Sequence, residues 1–372
     1  MDKVLQYVVF DVPDPPDYGG AVDVFYKITA LVEAGVAIHL HCFDYGRGPS
    51  SHLESLCASV RYYRRQRNPL KFFEHRPFIV ATRDNQDLKN NLLRREAPIW
   101  IEGLHCGAIL ESERLRSWPR FLRTHNVEHH YYRSLAEVSS SIGQKIYLRR
   151  EASKLETYEF IVNKAQKIFP LSRADTEYFQ NRYSAVSRLP VFQSQTSMEI
   201  SPGRGDYVLY HGNLAVAEND QAARYLVRDI FNTLDIPLII AGRDPSPALK
   251  RDVAADTHVQ LVEPPTVAAM NQWIRDAQIH ILPTFQATGL KLKLLKALFT
   301  GRHVLVNEPM LTDPELRSAC GVFTTPSEAR DQIRARMGAE VPVEELEVRE
   351  QLLQKTYHPG VNAKRLIEEI FV

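Results

Sequence analysis

The feature that most constrains this chain is a rhythm: short β-rich apolar runs alternate with longer helical patterns, break off, and start again. Strand-like runs fall at residues 4–12, 36–43, 98–101, 120–123, 166–169 and 185–191. A proline-rich loop closing on Gly19 and Gly20 follows the first of them. It leads into a helix marked by Val24, Phe25, Ile28, Leu31 and Val32 and stopped at Gly35. A long helix fills 143–164. Residues 189–205 are polar, carry Pro190, Pro202, Gly203 and Gly205, and have no periodicity. The rhythm then restarts, with strands at 207–210, 237–241, 259–262, 278–282, 303–306 and 322–324. Helices open near Asn219, Thr266, Gly289 and Thr312. A parallel crossover needs a helix-sized connection, so this alternation predicts parallel sheets with helices on both faces. The expected layout is a first domain over 1–190, a linker over 191–205 and a second domain over 206–355. A terminal segment, 356–372, is expected to be helical and to pack back on the first domain. Ligands in such sheets bind beyond the carboxyl ends of the strands.

Composition excludes several classes. A chain of 372 residues exceeds what one core usually organises, and 44% hydrophobic with 24% charged residues is the make-up of a folded protein. The net charge of +1 supplies no general attraction to nucleic acid. No apolar stretch is long enough to span a bilayer, which leaves at most peripheral membrane contact. The four cysteines suggest neither a metal knuckle nor a disulfide framework. The N-terminus runs directly into a strand, so a cytoplasmic location is expected. The basic, aromatic run at 61–67 reads as a solvated loop or helix face. There is no D-x-D, no P-loop and no G-x-S-x-G elbow.

Five segments occur in a telling order: the Gly19-Gly20 loop, THNVEHHYY at 124–132, HGN at 211–213, IIAGRDP at 239–245 and LPTFQATGLKLKLLKAL at 282–298. Together they resemble the GT-B-fold glycosyltransferases of family 4. The resemblance implies two Rossmann-like domains facing a central cleft. It also implies transfer of a hexose from a UDP- or GDP-linked nucleotide sugar to a carbohydrate or glycoconjugate acceptor. Retention of anomeric configuration, no cofactor and no metal are expected, with polysaccharide assembly as the setting.

The last segment has its own physical logic. If a helix opens near Gly289, then at about 100° per residue Leu290, Leu294, Leu295 and Leu298 form the buried face and Lys291 falls inside it. A cation there is partly desolvated and meets the positive end of the helix dipole. An anion bound at the same end reverses both penalties. Lys291, with Lys293 and the amides after Thr288 and Gly289, is therefore expected to hold the donor diphosphate. Arg243 adds charge, while Gly19, Gly20, Gly212 and Asn213 let the backbone approach the donor. The sequence departs from the family at Lys296 and Thr288, where many members carry ribose-gripping glutamates, and the 212–220 loop has no basic residue.

By resemblance, His125 lies near the donor sugar and acceptor, where an imidazole can accept a hydroxyl proton. His105 and Glu128 are acceptor-side candidates, although a structural hydrogen bond explains His105 equally simply. Residues 125–129 also spell H-x-x-E-H, a zinc-peptidase pattern. That pattern needs both histidines on one helical face, and here it begins directly after a strand, so no metal site is expected. Two other readings stay open: a non-catalytic sugar-nucleotide-binding or scaffold homologue, and a sugar-nucleotide epimerase on the same fold.

Overall fold

The computed structural model describes residues 3–66, 68–139, 141–263, 266–285 and 291–371. The chain divides into two compact units, 1–194 with 356–372, and 195–355.

The first unit holds six parallel strands, β1 (Lys3–Val9), β2 (Val36–Asp44), β3 (Ser59–Arg64), β4 (Ile99–Glu102), β5 (Arg120–Thr124) and β6 (Lys167–Pro170). Their order is β3-β2-β1-β4-β5-β6. Alternate side chains of β1 sort onto opposite faces. Leu5, Tyr7 and Val9 join Trp100 and Ile28 in one apolar cluster, while Val8 joins Ile99, Ile101 and Leu122 in the other. The first cluster is completed by the end of the chain. The Pro359–Ile370 helix places Ala363, Leu366, Ile367 and Ile370 in the same core as the Gly19–Glu33 helix. His358 caps this helix by accepting from the Val361 amide at 3.3 Å.

The second unit repeats the plan with β7 (Val208–His211), β8 (Leu238–Ala241), β9 (Val259–Val262), β10 (Ile279–Leu282), β11 (His303–Asn307) and β12 (Gly321–Phe323). All pairings are parallel, in the order β12-β11-β10-β7-β8-β9. The segment leading into β7 is fastened to this unit: the Gly205 amide donates to Gln278 at 2.8 Å, and Arg302 donates to the carbonyls of Pro202 and Gly203.

In each sheet the first strand lies centrally and the chain then builds outward on one side before crossing to the other. The order of winding reverses between β1 and β4, and between β7 and β10. The backbone splays apart at such a switch point, leaving room for a ligand beyond the strand ends.

Four local expectations are corrected. Residues 185–191 form a loop with one isolated bridge at Val186, not a strand. The carbonyls of Leu189 and Pro190 are taken by Arg123, and Pro190 has no N–H to offer a ladder. Within the run at 61–67, residues 61–64 belong to β3, an edge strand, rather than to a solvated loop or helix, and Arg67 lies outside the described residues. The helix expected near Thr312 is a 3-10 turn at Pro314–Ala319. The long helix is α-helical over Ile142–Tyr158 and tightens to 3-10 over Glu159–Lys164.

Candidate functional site

In the first unit, polar side chains converge beyond the ends of β1, β4 and β5. Glu102, the last residue of β4, is fully buried. Its Oε1 accepts from Lys27 Nζ at 2.6 Å, Trp100 Nε1 at 2.7 Å and the Tyr7 hydroxyl, and its Oε2 faces His125 Nε2 at 2.9 Å. Asp23, from the Gly19–Glu33 helix, is equally buried. It accepts from Lys27 at 2.9 Å, from two nitrogens of Arg123 at 3.1 and 3.2 Å, and from the Phe192 amide at 2.8 Å. Two carboxylates and two cations thus neutralise one another with nearly every lone pair engaged, the condition under which buried charge is tolerable. Desolvation works to raise both carboxyl pKa values. It is outweighed at Asp23 by Arg123 and Lys27, and at Glu102 by Lys27 and His125, so both stay below the usual carboxylate range.

Acceptor atoms of Asp23, Glu102 and His125 lie within 4.8 Å of one another, a spacing suited to a metal. The Lys27 ammonium, however, sits between the two carboxylates at 2.9 and 2.6 Å. It fills the position a cation would need, so this group is an ion-pair network rather than a metal cage. The H-x-x-E-H pattern is likewise dispersed. His125 turns to Glu102, Glu128 lies 3.9 Å from His105, and His129 lies 3.2 Å from Glu159.

Around His125 the walls are aromatic. Phe10 meets its ring edge-on at 5.5 Å and stacks on His105 at 4.9 Å. Gly103, at φ +72°, makes the close turn between Glu102 and His105. A Cβ there would lie 2.9 Å from His105 Nδ1. Gly20 faces the same aromatic wall, its missing Cβ 3.2 Å from Phe10, and Gly19 opens the helix beside it. Burial drives His105 well below its ordinary value and pushes Glu128 up to about 8, with Asp175 adding to the latter. Both are therefore neutral near pH 7.

In the second unit the corresponding place lies beyond β7 and β10. His211 ends β7, is buried, and sets its ring against His280 at 5.7 Å. Its Nε2 has no hydrogen-bond partner among the described residues. Burial, then His280 and the lysines Lys296 and Lys293, hold it well below the usual histidine value. Gly212 admits the Asn219 side chain, which a Cβ would meet at 3.3 Å. Asn219 Nδ2 donates to the Asn213 carbonyl at 2.9 Å, and the Leu214 amide donates to the carbonyl of Arg243 at 3.0 Å. Gly242 is more tightly constrained, since a Cβ would fall 2.0 Å from the Gly212 carbonyl oxygen. Asn213 and Arg243 are exposed.

The lysines differ from the helical-wheel expectation. The helix runs over Leu292–Thr300, later than expected, with Lys291 at its N-cap rather than inside its first turn. Thr288 and Gly289 lie outside the described residues. Lys291 is mostly buried and pairs with Glu218 at 2.9 Å, and Glu218 also accepts from the Thr284 hydroxyl. The counter-charge that the sequence argument sought from a ligand is thus present within the chain. Among the described residues Lys293 has no such partner. Its Nζ touches, among the described residues, only neutral groups, Asn219 Oδ1 at 2.9 Å, the Tyr210 hydroxyl at 3.2 Å and the Tyr210 ring. Burial lowers its pKa to about 8, with Glu218 opposing and Lys291 reinforcing. Lys296 is not a solvated lysine either. It donates to Asn271 at 2.5 Å, and burial lowers its pKa.

Sequence reasoning missed Lys27, Asp23, Glu102 and Glu218. Lys27 carried the same signal that singled out Lys291, a cation inside the apolar arc of Val24, Ile28 and Leu31. Glu218 carried none, because an acid in the first turn of a helix is ordinary.

No family model matches the chain. An uncharacterized 44.6 kDa protein in the cps region of Klebsiella pneumoniae is 24% identical over 320 residues, covering 80% of this chain and 81% of that protein. Among solved structures, the Candida albicans trehalose-6-phosphate phosphatase N-terminal domain aligns with a TM-score of 0.66 at 12% identity, over 100% of this chain and 97% of its own. An Escherichia coli trehalose-6-phosphate protein bound with UDP-2-fluoro glucose gives 0.67 at 10% identity over 99% of both chains. The α,α-trehalose-phosphate synthase (UDP-forming) from Burkholderia xenovorans, in complex with glucose-6-phosphate, gives 0.61 at 9% identity over 100% of both. The fold is therefore the GT-B fold, two Rossmann-like domains, as the sequence resemblance implied.

Proposed function

We propose that this chain is a retaining, metal-independent hexosyltransferase that uses a UDP- or GDP-linked sugar and a carbohydrate or glycoconjugate hydroxyl acceptor. The observation that carries this reading is Lys293, a buried ammonium at the switch point of the second sheet with only neutral partners among the described residues. A departing diphosphate placed there regains for the lysine the Coulomb energy lost on burial, and developing charge is stabilised by a group already in position. Lys291 assists once Glu218 is shared. The exposed Asn213 in the turn after β7 and the unpartnered Nε2 of His211 offer polar contacts to the donor. Support also comes from the UDP-2-fluoro glucose bound to a structural neighbour and the UDP formed by another.

In the first unit, His125 is the acceptor-side residue. The Glu102 carboxylate is an anion, so His125 Nε2 carries the proton it donates to Glu102, which leaves the Nδ1 lone pair as an acceptor. Nδ1 orients the acceptor hydroxyl. In a retaining transfer the hydroxyl oxygen bonds to the anomeric carbon as the bond to the diphosphate oxygen breaks, and that phosphate oxygen takes the hydroxyl proton. The cps-region relative is consistent with a role in polysaccharide assembly.

Calorimetry with UDP and GDP, followed by a product screen with sugar nucleotides and mixed acceptors, tests the reading. Binding of one nucleotide, its loss in Lys293→Met, and product formation lost in His125→Ala with binding retained are expected. The Glu218–Lys291 pair favours one rival, a binding homologue that never turns over. Nucleotide binding without product across the whole screen would establish that rival, and absence of any binding would remove both.

A further inference from the structure

We propose that the first unit binds a small phosphate-bearing molecule in a second pocket, at the end of its sheet remote from His125. The pocket has a volume of about 460 Å³, which is within the range of small-molecule sites. It is lined by the loop ahead of β5, by Arg120 at the start of that strand, and by Asn163 and Lys164 ahead of β6. β5 runs from Arg120 to Thr124, the neighbour of His125. At about 3.3 Å per residue, its two ends lie roughly 13 Å apart. A molecule in this pocket therefore leaves the acceptor-side residues free. Ligands of parallel sheets ordinarily bind at the carboxyl ends of the strands, so this pocket follows from its own residues and not from the fold.

Arg120 is 7% exposed. Among the described residues its side chain makes one hydrogen bond, Nη1 to the Leu110 carbonyl at 3.0 Å, and no ion pair. Burial lowers its pKa, with Glu113 opposing and Arg116 reinforcing. A guanidinium presents its donors in a planar fork that matches two oxygens of a phosphate, and the donors not used on Leu110 line the cavity. Arg116 and Lys164 add positive charge to the wall. Among the described residues the lining holds one acid, Glu113, whose side chain is 71% exposed and stands 3.7 Å from each of these two cations. The nearby Glu111 is turned away, to Arg76 at 3.3 Å and the Tyr158 hydroxyl at 2.5 Å. Three cations against one carboxylate leave two positive charges over, which a phosphate monoester neutralises. Ser112 and Asn163 offer a hydroxyl and an amide to a polar body such as a sugar. No aromatic ring is among the described lining residues, so nothing there stacks a base, and the site is not one for a nucleotide. The inference does not depend on the proposed transfer.

The test is titration calorimetry of the full chain with ribose 5-phosphate, inorganic phosphate and ribose. Ribose 5-phosphate is expected to bind, inorganic phosphate more weakly and ribose not at all, and salt should weaken the binding. Arg120→Gln should lower the affinity about thirtyfold. Arg116→Gln with Lys164→Gln is an independent variant that spares the fold, since both side chains are exposed, and it should cost about tenfold. Glu113→Gln should tighten binding about threefold, a gain that no folding defect produces. Lys293→Met should leave the affinity unchanged. Binding lost in Lys293→Met overturns the proposal, because the phosphate then sits in the second unit. Binding untouched by Arg120→Gln and by the double variant also overturns it. So do failure of ribose 5-phosphate to bind, and equal binding of ribose or of inorganic phosphate.

Discussion

Raising the pH from about 7 to about 8.5 is expected to weaken binding of a nucleoside diphosphate about fourfold. The perturbation acts on Lys293, whose pKa burial lowers to about 8. About nine-tenths of the molecules carry the charge at the lower pH and about one-quarter at the higher, and the ratio gives the factor. A bound diphosphate supplies the missing counter-charge and returns the lysine toward its ordinary value, so binding near pH 8 takes up about half a proton. Titration calorimetry with UDP, in buffers of different ionisation enthalpy, reads both quantities. Stability shifts in the opposite direction. A lysine with a depressed folded-state pKa contributes stability that is present above its unfolded value, about 10.4, and lost as pH falls toward about 8. Lys293→Met should remove this share of the pH dependence along with the proton uptake. If UDP binds equally at both pH values with no proton taken up, Lys293 does not meet the phosphate.

Other variants probe the frame. Lys27→Met leaves Glu102 and Asp23 facing each other without the ammonium between them, and calorimetric melting should show a loss of about 3–5 kcal/mol. Glu128→Gln should stabilise the protein by up to about 3 kcal/mol near pH 7. A carboxyl raised to about 8 loses stability as pH rises from its unfolded value through that point, so the gain should vanish in acid, where both forms are neutral. Gly242→Ala forces the added methyl against the Gly212 carbonyl and should cost about 1–3 kcal/mol by chemical denaturation. Glu218→Gln releases Lys291 and should tighten UDP binding up to about fivefold.

The two parallel sheets were legible because their strands are apolar on both faces and separated by helix-length crossovers, a pattern few other folds tolerate. β3 was obscured because an edge strand has only one neighbour and keeps charged residues such as Arg61 and Arg64. The 185–191 segment deceived because it hydrogen-bonds along β6 through Ala185, Ser187 and Leu189, yet the carbonyls of Leu189 and Pro190 then turn to Arg123 and no strand forms. At the candidate site, the sequence singled out Lys291, which the structure pairs with Glu218, and gave Lys293 second place. A helical wheel reports which side a residue faces, and it carries no information about Glu218, which lies 73 residues away. The network of Glu102, Asp23 and Arg123 was hidden for the same reason, being assembled from three separated elements.

The Pro359–Ile370 helix closes the core that begins with Lys3, while the second unit is one uninterrupted stretch, 195–355. On a ribosome, the half of the protein made first is therefore the half finished last. Its nascent sheet waits with the groove for Leu366 and Ile370 uncovered until that helix has been made, whereas the later half can fold as soon as it emerges. A stop codon just ahead of that helix should spare the second unit and leave the first dependent on chaperones.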